Sequence, residues 1–406
     1  MNQVVVLCGG QGKRLKPLTN KDPKPMVDIH GKPFLLFLVN QFKHYGVKDF
    51  LFLTGYKNKK ISDFFSNGSR WGVNIDYDIG PVTWKTKKRL YKARSKIKKK
   101  FFLIYSDNFT NYPFHKIIDF HLKQKKALTL FLCKKTKGNI KIDKNLKILE
   151  YDEFRKGKNL NYVEVGYMLA DKKKLFSYIK NENKDFSSIF PKMIEDDNIN
   201  SLLSNNSYFS ISDLNRLEIT KKFFIKKKII LIDRDGLINK KKNKGEYVTS
   251  WSKFRFIKKS IDALVTLSKN KFKFIIITNQ AGVGRKKMSF NNLNLIHDKM
   301  TDKLKVKGIK ILKIYFCPHH WKDNCECRKP KPGLFFIASS RYKLNLNETI
   351  YIGDDPRDCL AAFNSGCKSI LINRKKKFNE INKLNSPILI KNNIVEAIDM
   401  IKQFYN

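Results

Sequence analysis

Two aspartates one residue apart, Asp233 and Asp235, follow the apolar run Ile229-Ile-Leu-Ile and precede Gly236. Carboxylates that converge repel one another unless a cation or a shared proton intervenes. Such a pair can hold Mg²⁺, with one acid free to attack phosphorus and the other to carry a proton. A bare D-x-D is more often a solvated turn, but three later segments bear on the choice. Phe274-Ile-Ile-Ile-Thr278-Asn279-Gln280-Ala281-Gly282 ends in a hydroxyl, two amides and a glycine turn, all suitable donors to a phosphoryl group. Thr349-Ile-Tyr-Ile-Gly353-Asp354-Asp355-Pro-Arg357-Asp358 supplies further acids that could complete a Mg²⁺ site. Cys317, His319, Cys325 and Cys327 are four soft ligands within eleven residues, a spacing suited to Zn²⁺ in a closed, structural site. A disulfide is the competing account of that loop, and His320 is expected to pack beside it.

Chemistry at these points needs elements that deliver them to one place. The apolar runs before Asp233, Thr278 and Asp354 read as buried parallel strands, and residues i and i+2 of a strand share a face. Asp233 and Asp235 are therefore expected to point the same way. Strands that end in acids and donors, separated by helix-length segments, predict a doubly wound sheet with one catalytic edge. A second signal opens the chain, where Gln3-Val-Val-Val-Leu-Cys runs into Gly9-Gly10-Gln-Gly12-Lys13-Arg14. A glycine turn after a first strand can cradle phosphates on backbone amides, with Lys13 and Arg14 adding charge. Length suggests two or three domains, with a join near Lys221–Lys228. The reading is two α/β doubly wound domains, residues 1–224 and 228–406.

The order D-x-D-G, Thr, Lys, G-D-D over residues 228–375 resembles the haloacid dehalogenase-like phosphatases. Within them, D-R-D-G-x-I-N, T-N-Q-x-G-x-x-R and C-P-H-H…C-x-C-R-K-P-x-P-G look like the D-glycero-D-manno-heptose-1,7-bisphosphate 7-phosphatases. The resemblance implies that Asp233 is a nucleophile forming an aspartyl-phosphate. Asp235 would protonate the leaving oxygen and later activate water, and Asp233, Asp235 and Asp354 would hold Mg²⁺. Thr278 and Lys329 would stabilise the phosphoryl group, with Arg328, Asn279, Gln280, Ala281 and Asp355 contacting substrate. It also gives His319, not His320, to the zinc.

The opening G-G-x-G-x-R-L-x-P-L-T, followed by Pro23-Lys24-Pro-Met, resembles the sugar-phosphate nucleotidyltransferases, a Rossmann-like family, over roughly residues 1–222. It implies nucleotide contacts from Gly9, Gly10, Gly12, Lys13, Arg14 and Lys24, a Mg²⁺ ligand in Asp107, and a sugar contact from Glu164. Two departures stand out. A glycine-rich turn near the base and sugar is replaced by Lys85-Thr-Lys-Lys-Arg-Leu90, and a second metal aspartate by Ser210. Lysine is no substitute for glycine where backbone must approach a ligand, and serine is a poor Mg²⁺ ligand.

The net charge of +47 invites a nucleic-acid reading. It comes from 70 Lys against 13 Arg, spread over the whole chain, whereas phosphate and base recognition favours Arg forks. The field instead suits sugar phosphates and a nucleoside triphosphate as partners. No apolar stretch approaches the twenty residues that span a membrane, and no signal peptide precedes the first strand, so a cytoplasmic enzyme is expected. The two halves together suggest a bifunctional enzyme that makes an activated heptose for surface polysaccharide, with Mg²⁺ and Zn²⁺ as cofactors. The rivals are a phosphatase with a degenerate amino-terminal module, a histidinol-phosphate phosphatase and a polynucleotide end-phosphatase.

Overall fold

The computed structural model describes residues 3–111, 114–204, 208–243, 245–372 and 386–406. The chain forms two compact units, Met1–Ile225 and Lys226–Asn406.

In the first unit the strands Asn74–Ile79, Asp49–Thr54, Gln3–Cys8 and Lys100–Tyr105 lie side by side and parallel. The long strand Tyr162–Asp171 pairs antiparallel with Lys100–Tyr105 on one side and with Leu128–Lys134 on the other. The sheet is thus mixed rather than wholly parallel, and Leu128–Lys134 again runs the same way as Gln3–Cys8. Val4, Val5 and Val6 have no exposed surface, as expected of a strand covered on both faces. Alternate residues of that strand enter two separate apolar cores, Val4 and Val6 in one and Val5 in the other. The strand ends at Cys8, and the chain leaves the carboxyl edge as the glycine turn.

The second unit holds an all-parallel sheet in the order Ile311–Cys317, Lys273–Asn279, Ile229–Ile232, Ile350–Gly353, Lys368–Ile372, Leu389–Lys391. Helices Lys258–Lys269, Phe290–Val306, Gly333–Tyr342 and Pro356–Ser365 supply the crossovers. Apolar side chains again divide between two cores, with Ile230 and Ile232 in one and Ile229 and Leu231 in the other. Four neighbouring strands therefore end at Ile232, Asn279, Cys317 and Gly353 on one edge. Side chains gather there for the reason a doubly wound sheet collects its chemistry at the carboxyl ends of its strands.

Candidate active site

The strand Ile229–Ile232 stops one residue before the first aspartate. Asp233 stays in register, its N–H donating to the Ile352 carbonyl at 2.9 Å. The backbone then turns, with the Arg234 carbonyl accepting from the N–H groups of Ile238 and Asn239. Gly236 adopts φ +89°, and a Cβ there would lie 2.1 Å from Asp354 Oδ2, so glycine is what lets this turn approach the second acidic loop.

The acids that converge are Asp233, Asp354 and Asp358, whose ligand atoms lie within 4.8 Å of one another. Of the expected set Asp233, Asp235 and Asp354, the side chains of Asp233 and Asp354 fall in this group and that of Asp235 does not. Asp235 lies in the turn, not along the strand, and the i, i+2 rule does not govern it. Its carboxylate accepts from Arg234 Nη2 (3.0 and 2.9 Å), Asn239 Nδ2 (2.8 Å) and Gln280 Nε2 (2.7 Å). Burial alone would push its pKa up, but Arg234, Asn239 and Gln280 outweigh it and hold the acid below the usual carboxylate range.

Lys329 lies among the converging acids. Its Nζ donates to Asp233 Oδ1 at 2.9 Å, Asp358 Oδ1 at 2.7 Å and the Tyr351 hydroxyl at 2.6 Å. Burial disfavours its charge, yet Asp233 and Asp358 win and raise its pKa above the ordinary lysine value. Burial has the larger effect at Asp233, raising its pKa to about 7 despite the ammonium, with Asp358 and Asp354 adding to the rise. At Asp354 burial, helped by Asp358 and opposed by Lys241, gives about 6. Charge is thus crowded here, and a cation would relieve it.

The residues fit a hard divalent ion. Asp354 Oδ1 is buried with no hydrogen-bond partner among the described residues, a state that calls for a ligand, and Asp233 lies beside it. Asp358 is already used, because its Oδ2 accepts from the amides of Asp354 and Asp355, both at 3.1 Å. It anchors the loop and Lys329. Asp233 and Asp354 are the side chains that could hold Mg²⁺.

Thr278 is buried at the cleft floor, and its hydroxyl accepts from Gln280 Nε2 at 2.9 Å. Gln280 Oε1 accepts from Arg234 at 2.9 Å. The Asn279 side chain accepts from the Lys329 N–H at 3.0 Å and donates to its carbonyl at 3.1 Å. Ala281 is buried. The side chains of Asn279 and Gln280 are therefore engaged in positioning Lys329, Asp235 and Thr278, which leaves the backbone of the Asn279–Ala281 turn to meet a substrate. Asp355 likewise caps the helix Pro356–Ser365 and forms a paired contact with Arg357 Nε and Nη2, both at 2.9 Å. Arg357 overcomes burial and keeps Asp355 well below the usual carboxylate range.

Arg328 lines a cleft of about 1460 Å³ with Asp233, Lys329, Arg285 and Trp321. Its Nη1 is buried and unpartnered among the described residues, leaving a donor for an anionic ligand. Sequence reasoning missed the roles of Arg234 and Tyr351, and it took Asp358 only as one more acid of its segment, although the fifth residue of Asp354-Asp-Pro-Arg-Asp is where a capping-box acid falls.

Cys317, His319, Cys325 and Cys327 come together just after the strand Ile311–Cys317. Sulfur–sulfur distances are 3.5 Å for Cys317–Cys325 and 3.4 Å for Cys325–Cys327, and His319 Nδ1 lies 3.1 Å from Cys327 Sγ. These are too long for a disulfide, whose S–S is ~2.05 Å, and near the edges of a tetrahedron with ~2.3 Å metal–sulfur bonds. His320 lies outside the group, accepting from the Lys322 N–H and stacking on Trp321 at 4.1 Å.

In the first unit, Gly9 and Gly10 follow the strand Gln3–Cys8, and Gly12 takes φ +63°. A Cβ on Gly12 would lie 2.9 Å from Lys24 Cβ, so the turn folds onto Lys24, whose Nζ pairs with Asp107. Lys13 and Arg14 lie on the single turn Lys13–Leu15 just beyond. Glu164 accepts from the Gly166 N–H at 3.1 Å, and burial, with Asp107 adding, pushes its pKa up to about 8. Ser210 pairs in register with Asn108, beside Asp107, and its hydroxyl accepts from the Ser212 N–H at 3.2 Å. The segment expected as a departure from glycine is the helix Thr86–Lys92. Its Lys87 is buried and donates to Glu182 at 2.7 Å.

Comparison with known proteins agrees with both halves. The nucleotidyl transferase family model matches residues 3–210, half of the chain, and the polynucleotide kinase 3 phosphatase model matches residues 228–383. A D-glycero-beta-D-manno-heptose-1,7-bisphosphate 7-phosphatase from Neisseria meningitidis is 37% identical over 145 residues, which are 36% of this chain and 76% of that one. A histidine biosynthesis bifunctional protein from Campylobacter jejuni is 34% identical over 143 residues, 35% of this chain but 41% of its own length. The fold of the first half is shared with a structure from Bacillus anthracis described as a candidate glucose-1-phosphate thymidylyltransferase, at TM-score 0.51 and 19% identity over 55% of this chain and 94% of that one. The chain therefore belongs to the nucleotidyl transferase family through its first half and, through its second, to the haloacid dehalogenase-like D-glycero-D-manno-heptose-1,7-bisphosphate 7-phosphatases.

Proposed function

We propose that the second half releases the 7-phosphate of D-glycero-D-manno-heptose 1,7-bisphosphate and that the first half transfers a nucleotidyl group, guanylyl by preference, onto the heptose 1-phosphate. The product is an activated heptose for surface polysaccharide, made in the cytoplasm from small-molecule substrates without nucleic acid. The observation that carries the phosphatase reading is Asp233 beside Lys329 and the unpartnered oxygen of Asp354, within a stretch of 145 residues 37% identical to a heptose bisphosphatase.

Asp233 attacks phosphorus, and the bond to the leaving sugar oxygen breaks as that oxygen takes up the proton of the monoanionic phosphate, relayed through the carboxylate of Asp235. Asp235 then takes a proton from the water that hydrolyses the aspartyl-phosphate. Arg234, Asn239 and Gln280 hold Asp235 ionised in the resting protein, the form this second step needs. Lys329 and Thr278 stabilise the phosphoryl oxygens, and Arg328 receives the remoter anionic part of the substrate. Mg²⁺ on Asp233 and Asp354 would neutralise charge on the phosphoryl group. Zn²⁺ on Cys317, His319, Cys325 and Cys327 would pin the loop that leads straight into Arg328 and Lys329.

In the first half, Gly9, Gly10, Gly12, Lys13, Arg14 and Lys24 receive the triphosphate and Glu164 a sugar hydroxyl, and Asp107 would hold Mg²⁺ to neutralise phosphate charge. One observation favours a second reading, a binding module without transfer activity: Ser210 offers only a neutral, buried hydroxyl where the resemblance calls for a carboxylate. Phosphate release from heptose 1,7-bisphosphate, histidinol phosphate and 3′-phosphorylated DNA, compared at equal concentration, tests the substrate. Preference for either of the last two would overturn the heptose reading.

A further inference from the structure

Arg89 is a large cation with almost no exposed surface, and it uses its donors on backbone alone. Nη1 donates to the carbonyls of Thr54 (2.6 Å) and Gly80 (3.3 Å), Nη2 to those of Pro81 (2.7 Å) and Gly9 (3.4 Å), and Nε to Trp84 (3.1 Å). Three segments meet on one guanidinium: the end of the strand Asp49–Thr54, the turn 80–84 and the glycine turn. Space for it exists because two neighbours lack side chains. A Cβ on Gly9 would fall 2.4 Å from Arg89 Cζ, and one on Gly55 2.5 Å from Nη2.

The consequence falls on the glycine turn. The Gly9 carbonyl is drawn inward by two donors, Arg89 Nη2 and the Tyr56 N–H at 3.1 Å. A trans peptide is planar with its C=O and N–H on opposite sides. With the Gly9 oxygen facing the protein, the Gly10 N–H faces away from it. Gly10 is exposed, and a Cβ there would meet nothing within 4 Å, so that N–H opens onto free space where an anion can approach.

We infer that Arg89 is a positioning residue for the nucleoside triphosphate: it holds the Gly9–Gly10 peptide with its N–H presented to a phosphate. This rests on the transferase reading of the first half. It also gives the basic segment Lys85–Leu90 a task other than the one glycine would perform there. The guanidinium buttresses the loop from behind and leaves the ligand side clear.

The test compares intact wild type, Arg89→Lys and Arg89→Met for binding of GTP, ATP, CTP and UTP by calorimetry, and for KM and kcat of sugar-nucleotide formation. Phosphate release by the other half of the same chain serves as the folding control. Arg89→Met is expected to weaken the preferred triphosphate about tenfold or more, with kcat and the KM for sugar phosphate changed far less. Arg89→Lys, keeping a charge but losing the fork, should fall between. Triphosphate binding by Arg89→Met within twofold of wild type overturns the inference alone. Wild type that binds none of the four triphosphates overturns the inference and the transferase reading together. A change shared equally by KM for both substrates and by kcat marks general damage to the fold and also overturns it.

Discussion

At the scale of the residue, the phosphatase half is a problem in crowded charge. Asp233, Asp354 and Asp358 converge, and Lys329 is the cation placed to answer them. Replacing Asp233 by Asn removes the nucleophile but leaves an amide of the same shape that still accepts from Lys329. Asp233→Asn is therefore expected to fold and to lose about three orders of magnitude or more in phosphate release. A rate within tenfold of wild type, measured with heptose bisphosphate, would sink the assignment. In the other half Asp107 is the acid beside the glycine turn, and Ser210 supplies no second carboxylate. Asp107→Ala should eliminate sugar-nucleotide formation while phosphate release proceeds at the wild-type rate; equal loss of both would contradict separate sites.

At the scale of the element, what could be read in advance was whatever strand ends dictate. An apolar run followed by an acid or a hydroxyl announces a parallel strand and its catalytic edge, so Asp233, Thr278, Asp354 and the glycine turn were legible. The direction of side chains beyond those ends was not. Asp235 lies beyond the strand, which stops at Ile232, and its carboxylate is held at the cleft by Arg234, Asn239 and Gln280. Gln280 and Asn279 read as substrate donors from composition, whereas long-range contacts to Asp235 and Lys329 use them internally. Arg89 was visible only as a departure from glycine, since nothing local shows that carbonyls from three segments surround it. The loop from Cys317 to Cys327 was legible because four ligands at that spacing have few other uses. Cys325→Ser should strip zinc from the purified protein and lower both thermal stability and turnover, as the loop bearing Arg328 and Lys329 loosens. Elemental analysis finding no zinc in reduced wild type would remove the metal from the account.

At the scale of the whole molecule, charge and burial set how the chain responds to its medium. His121 is buried against Thr129, its Nδ1 2.8 Å from the hydroxyl. Burial, assisted by Lys100 and Lys174 and opposed by Asp171, lowers its pKa from 6.5 to about 4. The folded chain therefore refuses a proton that the unfolded chain accepts. Stability from this group is complete above pH 6.5 and is lost as pH falls toward 4, by up to about 3 kcal/mol. Denaturant unfolding at pH 7 and pH 4.5 should show wild type losing more than His121→Asn; equal losses would mean the imidazole is not held neutral. Among the described residues no helix is long and apolar enough to cross a membrane.

Two active halves on one chain are the central claim, and one reaction tests it most directly. Purified wild type is given heptose 1,7-bisphosphate, Mg²⁺ and each of GTP, ATP, CTP and UTP in turn, and phosphate, pyrophosphate and sugar nucleotide are measured over time. The account predicts phosphate release with every triphosphate, followed with GTP by pyrophosphate and sugar nucleotide in equal amounts. Phosphate release with no sugar nucleotide from any of the four would contradict it and leave the first half as a binding module.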